Sequence, residues 1–190
     1  MLEDLAHELN IFVEGSKLHL EAWLFAFAGL WGINILNWFL GSKLNILGIH
    51  PRHPLGVLGI AFCPILHQNF THLFFNTIPL FMLGLSILAR GVPIFCQVTF
   101  FVVVFGGLAV WAFGRRAVHI GASGLVSGYF GYILATAYFE PSFTTLILAI
   151  FVIYYFGSIF LGIFPQEEKV SWESHLFGFL SGIGAAYVMR

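Results

Sequence analysis

The sequence predicts an all-α membrane protein, one bundle of six spanning helices. Three observations carry that reading. The 190-residue chain is 59% hydrophobic and 18% aromatic, with only 9% charged residues; soluble domains average about 25% charged. A fold of this length has no interior large enough to hide so much apolar surface from water. The apolar residues also fall in runs that match a hydrocarbon core of about 30 Å, and Pro, Gly and charged residues separate those runs.

Residues 1–21 are polar and read as a short amphipathic lead-in. The opening MLEDLAHELN is acidic and lacks the basic stretch of a cleavable signal. Residues 22–40 form span 1, with Trp31 and Trp38 toward the interfaces. Residues 41–70 form an irregular first loop. Up to His67 it holds Lys43, His50, Arg52, His53, Pro51, Pro54 and Pro64, yet 54–66 is rich in Leu, Ile, Val and Gly. That punctuation rules out a continuous spanning helix. The residues leave two placements open: a segment in the interface or half inserted against the bundle, or a plain outer loop with an apolar face.

Span 2 covers 71–89 and ends at Arg90-Gly91. Span 3 covers 93–113, with Pro93 in the first turn, where a missing N–H costs little. Gly114-Arg115-Arg116 interrupts the apolar run before span 4, residues 117–139, which closes at Glu140-Pro141. Span 5 covers 143–164 and is closed by Pro165-Gln166-Glu167-Glu168-Lys169; span 6 covers 174–189. The whole of 1–190 reads as one domain without internal repeats.

The net charge of −1 argues against a nucleic-acid partner. Cys63 and Cys96 have no metal or redox spacing and are expected to be free, buried thiols. The basic residues do not favour an inside N-terminus. That placement leaves Lys17, Arg90 and Arg190 inside and Lys43, Arg52, Arg115, Arg116 and Lys169 outside.

Ionisable residues at span boundaries point to function, because hydrocarbon disfavours them. His72, His119 and His175 lie at or inside boundaries, and His67 lies just before span 2. No span carries the His-x-x-x-His spacing or an acidic partner that a metal site needs, so neither metal nor cofactor is expected. Nucleophilic catalysis fits better. Ser123 opens span 4 and His175 opens span 6, at similar depth if both enter from one side. Alone, Ser123 reads as a packing serine bonded back to its own helix. The small residues Gly121, Gly124 and Gly128 on span 4 and Gly178 and Gly182 on span 6 would form a close packing seam. His175 projects along that seam, where a serine needs a base to become nucleophilic. His72 and Asn76, four residues apart on span 2, share a face and can donate to an oxyanion. His67 and His119 are expected to line the cavity around these groups.

Together these motifs resemble the rhomboid family of intramembrane serine proteases in its six-span form. The resemblance covers nearly the whole chain. It rests on Gly121-Ala122-Ser123-Gly124, on His175-Leu-Phe-Gly178-Phe-Leu-Ser-Gly182, and on His72-Leu-Phe-Phe-Asn76 preceded by His67. It implies a six-helix rhomboid bundle whose first loop is half embedded. It implies a Ser123–His175 dyad, with His72, Asn76 and the Ser123 backbone N–H as oxyanion donors. Transmembrane proteins in the bilayer would be the substrates, and span 5 would border their entrance. It also implies a cytoplasmic N-terminus and a site open to the outside, as in a bacterial plasma membrane.

Three features depart from the family pattern. The Trp-Arg pair of many first loops is missing, with Arg52 the nearest substitute; Ser127 stands where some members stack a Tyr on the histidine; and Ser174 replaces an Ala. Glu173 is two residues from His175 and on another side of a helix, so His175 is expected to be oriented by packing alone. Two other readings compete. A helix-binding relative without activity would usually have lost the serine or histidine. A channel or transporter would need polar residues along several spans, which spans 3 and 5 lack.

Overall fold

The computed structural model describes residues 2–164 and 171–190. Among the described residues, six helices of at least 14 residues form the scaffold. They are α1 (Leu2–Phe39), α2 (Phe70–Leu88), α3 (Val92–Phe113), α4 (Ser123–Phe139), α5 (Phe143–Phe156) and α6 (Trp172–Val188). The first three are long and apolar enough to cross a membrane. α4, α5 and α6 are shorter, at 17, 14 and 17 residues.

Two expected boundaries move. The polar lead-in is not a separate element: α1 runs unbroken for 38 residues, about 57 Å at 1.5 Å per residue. No proline interrupts it, and its N-terminal part is held by neighbours. The Glu8 carboxylate accepts the Thr144 N–H at the start of α5 (3.0 Å), and Gly15 lies against the Ala89 carbonyl. Helix α4 begins at Ser123, six residues later than the apolar run. Residues 114–122 are held out of the helix by a bridge to the first loop. There Ile49 and His119 exchange both backbone hydrogen bonds at 2.9 Å. The closing segment expected at 165–169 lies outside the described residues.

The core joins Leu83, Val98, Val102, Tyr129, Phe130 and Val152 from α2, α3, α4 and α5. The tightest helix pair is α4 with α6. A Cβ on Gly178 would overlap the Gly124 carbonyl, and one on Gly182 the Gly128 carbonyl. Only glycine lets the two backbones meet this closely. α3 conforms to the same seam: Val102–Gly106 opens into a π-bulge, and a Cβ on Gly106 would lie 3.5 Å from Gly178 Cα.

The first loop packs against this bundle through short helical turns at Lys43–Leu47, Pro54–Leu58 and Gly59–Phe62. Ile49, Ile60 and Cys63 are buried with Val110 of α3. Asn34 and Asn37, fully buried on α1, tie the loop down. Asn34 donates to the Ile65 carbonyl and accepts the His67 N–H, both at 2.8 Å; Asn37 donates to Asn45 and accepts the Leu44 N–H. Trp38, expected at an interface, donates to the His67 carbonyl. Arg52 donates to the Ala112 and Gly114 carbonyls at the end of α3, and Trp111 donates back to the His53 carbonyl. A tryptophan and an arginine thus brace the loop from different elements. The cysteines are free, but only Cys63 is buried; Cys96 is exposed on α3.

Candidate active site

Three helix starts meet at the end of the bundle that carries the first loop. Each contributes a polar group near its first turn, where backbone N–H groups have no partner in their own helix. Asn69 caps α2 by accepting the His72 N–H at 2.9 Å, which sets the register of His72 and Asn76. Ala122 precedes α4, and no side chain caps that helix. The N–H groups that open the helix, that of Ser123 included, have no capping side chain. Ser171 caps α6 and accepts the Ser174 N–H, fixing the turn that carries His175.

Gly121 joins the first two elements. Its φ of +116° is a conformation that side-chain-bearing residues rarely adopt. A Cβ there would also lie 2.7 Å from His72 Cε1 and Nε2 and 3.7 Å from Asn76 Nδ2. This glycine is therefore a turn and contact residue rather than part of the helix seam, because it lies outside α4. The Asn76 Nδ2 is buried and makes no hydrogen bond. A buried amide donor without an acceptor costs about 1–3 kcal/mol. The Asn76 amide lies beside Gly121, just before the start of α4.

Ser123 and His175 are half-buried across the α4–α6 seam. The residues beside them touch: a Cβ on Gly124 would lie 3.1 Å from the Ser174 carbonyl. No hydrogen bond joins Ser123 Oγ to His175 among the described residues. Instead His175 Nδ1 bonds the Gly162 carbonyl at 3.0 Å. A carbonyl only accepts, so Nδ1 carries the proton and Nε2 keeps its lone pair. The expectation that packing alone orients His175 is thus corrected.

His67 and His119, expected to line the cavity, are both buried and hydrogen-bonded. His67 is fully buried, with its ring 5.1 Å from that of His72. Its Nε2 accepts the Ala122 N–H at 3.2 Å and its Nδ1 donates to the Ile65 carbonyl. Those partners require the neutral ring, and burial, aided by the neighbouring His72, pulls its pKa down to about 4. His67 is a strut that positions the residue before Ser123. His119, 2% exposed, is held between the Arg115 carbonyl and Ser171 Oγ (2.6 Å), and Ser171 Oγ meets Ser174 Oγ at 2.7 Å. Arg115 adds an ion pair to buried Glu173 at 3.6 Å. Together they lock residues 114–122 onto the start of α6. Burial also holds His119 below its ordinary pKa.

A cavity of about 40 Å³ lies behind the site, between the first loop, α3, α4 and α6; Cys63, Gly121, Gly124, Ser174 and Gly178 are among its lining residues. It has room for a few waters.

Asn34, Asn37, Ser171 and Gly162 escape a reading of motifs. The two asparagines do leave a sequence signal, as uncharged polar residues in an apolar run. Nothing local marks Gly162, which gains its role only by meeting His175.

The Rhomboid domain family matches residues 55–190. An uncharacterised protein of Mycobacterium leprae is 39% identical over 169 residues, covering 84% of this chain and 67% of the relative. Uncharacterised proteins of Mycobacterium tuberculosis and Mycobacterium bovis are each 34% identical over 169 residues, 84% of this chain and 70% of theirs. The matched region contains His72, Asn76, Ser123 and His175, in the same order as the three helix starts described above. With its apolar helices and this family match, the chain is an integral membrane protein that belongs to the Rhomboid family.

Proposed function

We propose that the protein is an intramembrane serine endopeptidase that hydrolyses peptide bonds in or near transmembrane segments of other membrane proteins. The observation that carries this reading is the unpaired, buried Asn76 Nδ2 beside Gly121, at the uncapped start of the helix that carries Ser123. Ser123 Oγ attacks the scissile carbonyl while His175 Nε2 takes its proton. The carbonyl oxygen becomes an oxyanion that accepts from Asn76 Nδ2, His72 and the Ser123 N–H. His175 then gives the proton to the leaving amine, and an acyl-enzyme remains. Water, deprotonated by the same nitrogen, releases the acyl group and restores Ser123. The open Ser123–His175 geometry is compatible with this, since catalytic hydrogen bonds commonly tighten only around substrate.

A helix held by its own hydrogen bonds hides its carbonyls from Ser123. Substrates with glycine or other helix breakers near the cut should therefore be preferred. The site faces outward, and the N-terminus lies inside, as the family resemblance implies. One observation favours a second reading, a helix-binding relative without hydrolysis: Ser123 and His175 are not hydrogen-bonded. A fluorophosphonate probe on the detergent-purified protein separates the two. The protease reading expects labelling that disappears in Ser123→Ala and His175→Ala proteins that still fold. An unlabelled wild-type protein overturns it.

A further inference from the structure

We propose that Gly162 is a positioning residue, whose backbone carbonyl serves as the third member behind His175. The inference rests on the protease reading, because it assigns a partner to that reading's base.

Two independent features of one contact carry it. The first is chemical. His175 Nδ1 lies 3.0 Å from the Gly162 oxygen. A neutral imidazole has one N–H and one lone pair, and the carbonyl accepts only. The other tautomer would set two lone pairs against each other and leave the proton on Nε2, where a base needs none. The contact therefore selects the tautomer that the proposed chemistry requires. The second is steric. A Cβ at residue 162 would sit 2.5 Å from His175 Nδ1 and 3.1 Å from Cε1. A methyl group at 162 would therefore force the ring or the turn to shift.

Position gives the contact a consequence. Gly162 follows the short helix Ser158–Leu161, which continues the path of α5, and its own N–H bonds the Ile159 carbonyl. His175 belongs to α6, which is fixed to α4 by the glycine seam. The base and its orienting group thus come from different elements. The ring is correctly set only while the end of the fifth helical segment rests on α6. In a soluble triad a buried carboxylate does this work from a rigid site; here a backbone carbonyl does it from a helix terminus.

The test uses full-length protein in detergent, labelled with ¹⁵N-histidine, with His175 assigned by its loss in His175→Ala. The expected wild-type spectrum shows His175 protonated on Nδ1 and bare on Nε2. Gly162→Ala is expected to populate both tautomers. It should lower fluorophosphonate labelling and kcat by roughly 10–100-fold at unchanged KM, less than the about 10⁴-fold loss in a triad with the wrong tautomer. A wild-type His175 protonated on Nε2 overturns the proposal, as does a folded Gly162→Ala that labels within about twofold of wild type at an unchanged tautomer. If Gly162→Ala does not fold, an amide-to-ester change at the 162–163 bond replaces it. The ester weakens the carbonyl as an acceptor and adds no side-chain atoms, and the same outcomes decide. A wild-type protein that never labels refutes the protease reading instead, and the wild-type tautomer then decides this proposal alone.

Discussion

Asn76 and His67 are both polar and buried, yet truncating them should have opposite signatures. Asn76 Nδ2 has no partner to lose, so Asn76→Ala should leave thermal stability within about 1 kcal/mol of wild type. Its rate on a model membrane substrate should fall roughly 10²-fold, the scale for one oxyanion donor. Full activity would remove Asn76 from the site. His67 bridges two backbone groups, and its value is stability. Because its pKa is depressed to about 4 in the folded protein against 6.5 in the unfolded chain, the unfolded state binds the extra proton first. The stability held by neutral His67 is whole above pH 6.5 and declines as pH falls toward 4. His67→Gln lacks that titration, so its melting temperature should fall less steeply over the same range. Parallel slopes would contradict the strut assignment.

At the scale of helices, the α4–α6 seam decides whether the site exists. Gly178→Ala and Gly182→Ala each place a methyl group on a facing carbonyl, and overpacking of this kind costs about 1–3 kcal/mol or more. Both should lower resistance to unfolding. Gly178→Ala should also reduce fluorophosphonate labelling, because its methyl group lands one residue from Ser123. Gly184 supplies the contrast on the same helix, since its Cβ would meet only the Phe101 ring, at 3.3 Å. Gly184→Ala should therefore be much milder. Equal damage at 178 and 184, measured by unfolding in detergent, would mean that helix propensity rather than the seam is responsible.

Across the whole molecule, the two ends of the bundle are held differently. At the end away from the site, Arg90 bonds Glu140 at 2.7 Å and Tyr132 at 2.8 Å, with the charged pair partly exposed. Exposed pairs contribute at most about 1 kcal/mol. At the site end, Arg115 faces a Glu173 that is 3% exposed and whose Oε2 has no hydrogen bond. Removing a partner from a buried carboxylate is far more damaging. Arg115→Gln should therefore destabilise the protein more than Arg90→Gln and should also lower labelling, while Arg90→Gln stays active. Equal melting temperatures for the two variants would contradict this division.

The apolar runs, their punctuation and the seam glycines were legible along the chain, because lipid solvation and helix periodicity act on neighbouring residues. The positions of Ser123, His175, His72 and Asn76 at or near helix starts could be read in the same way. The start of α4 could not. Residues 117–122 continue the apolar run, and contacts from distant parts of the chain, among them the pairing of His119 with Ile49, 70 residues away in sequence, hold them out of the helix. Nor could the roles of the histidines be told apart by residue type. His67 and His119 became struts because buried backbone groups found them, and His175 was left with a free Nε2 because Gly162 took its other nitrogen. Hydrophobic pattern is a local property of the chain, whereas a histidine's tautomer depends on which distant atom folding brings to each nitrogen.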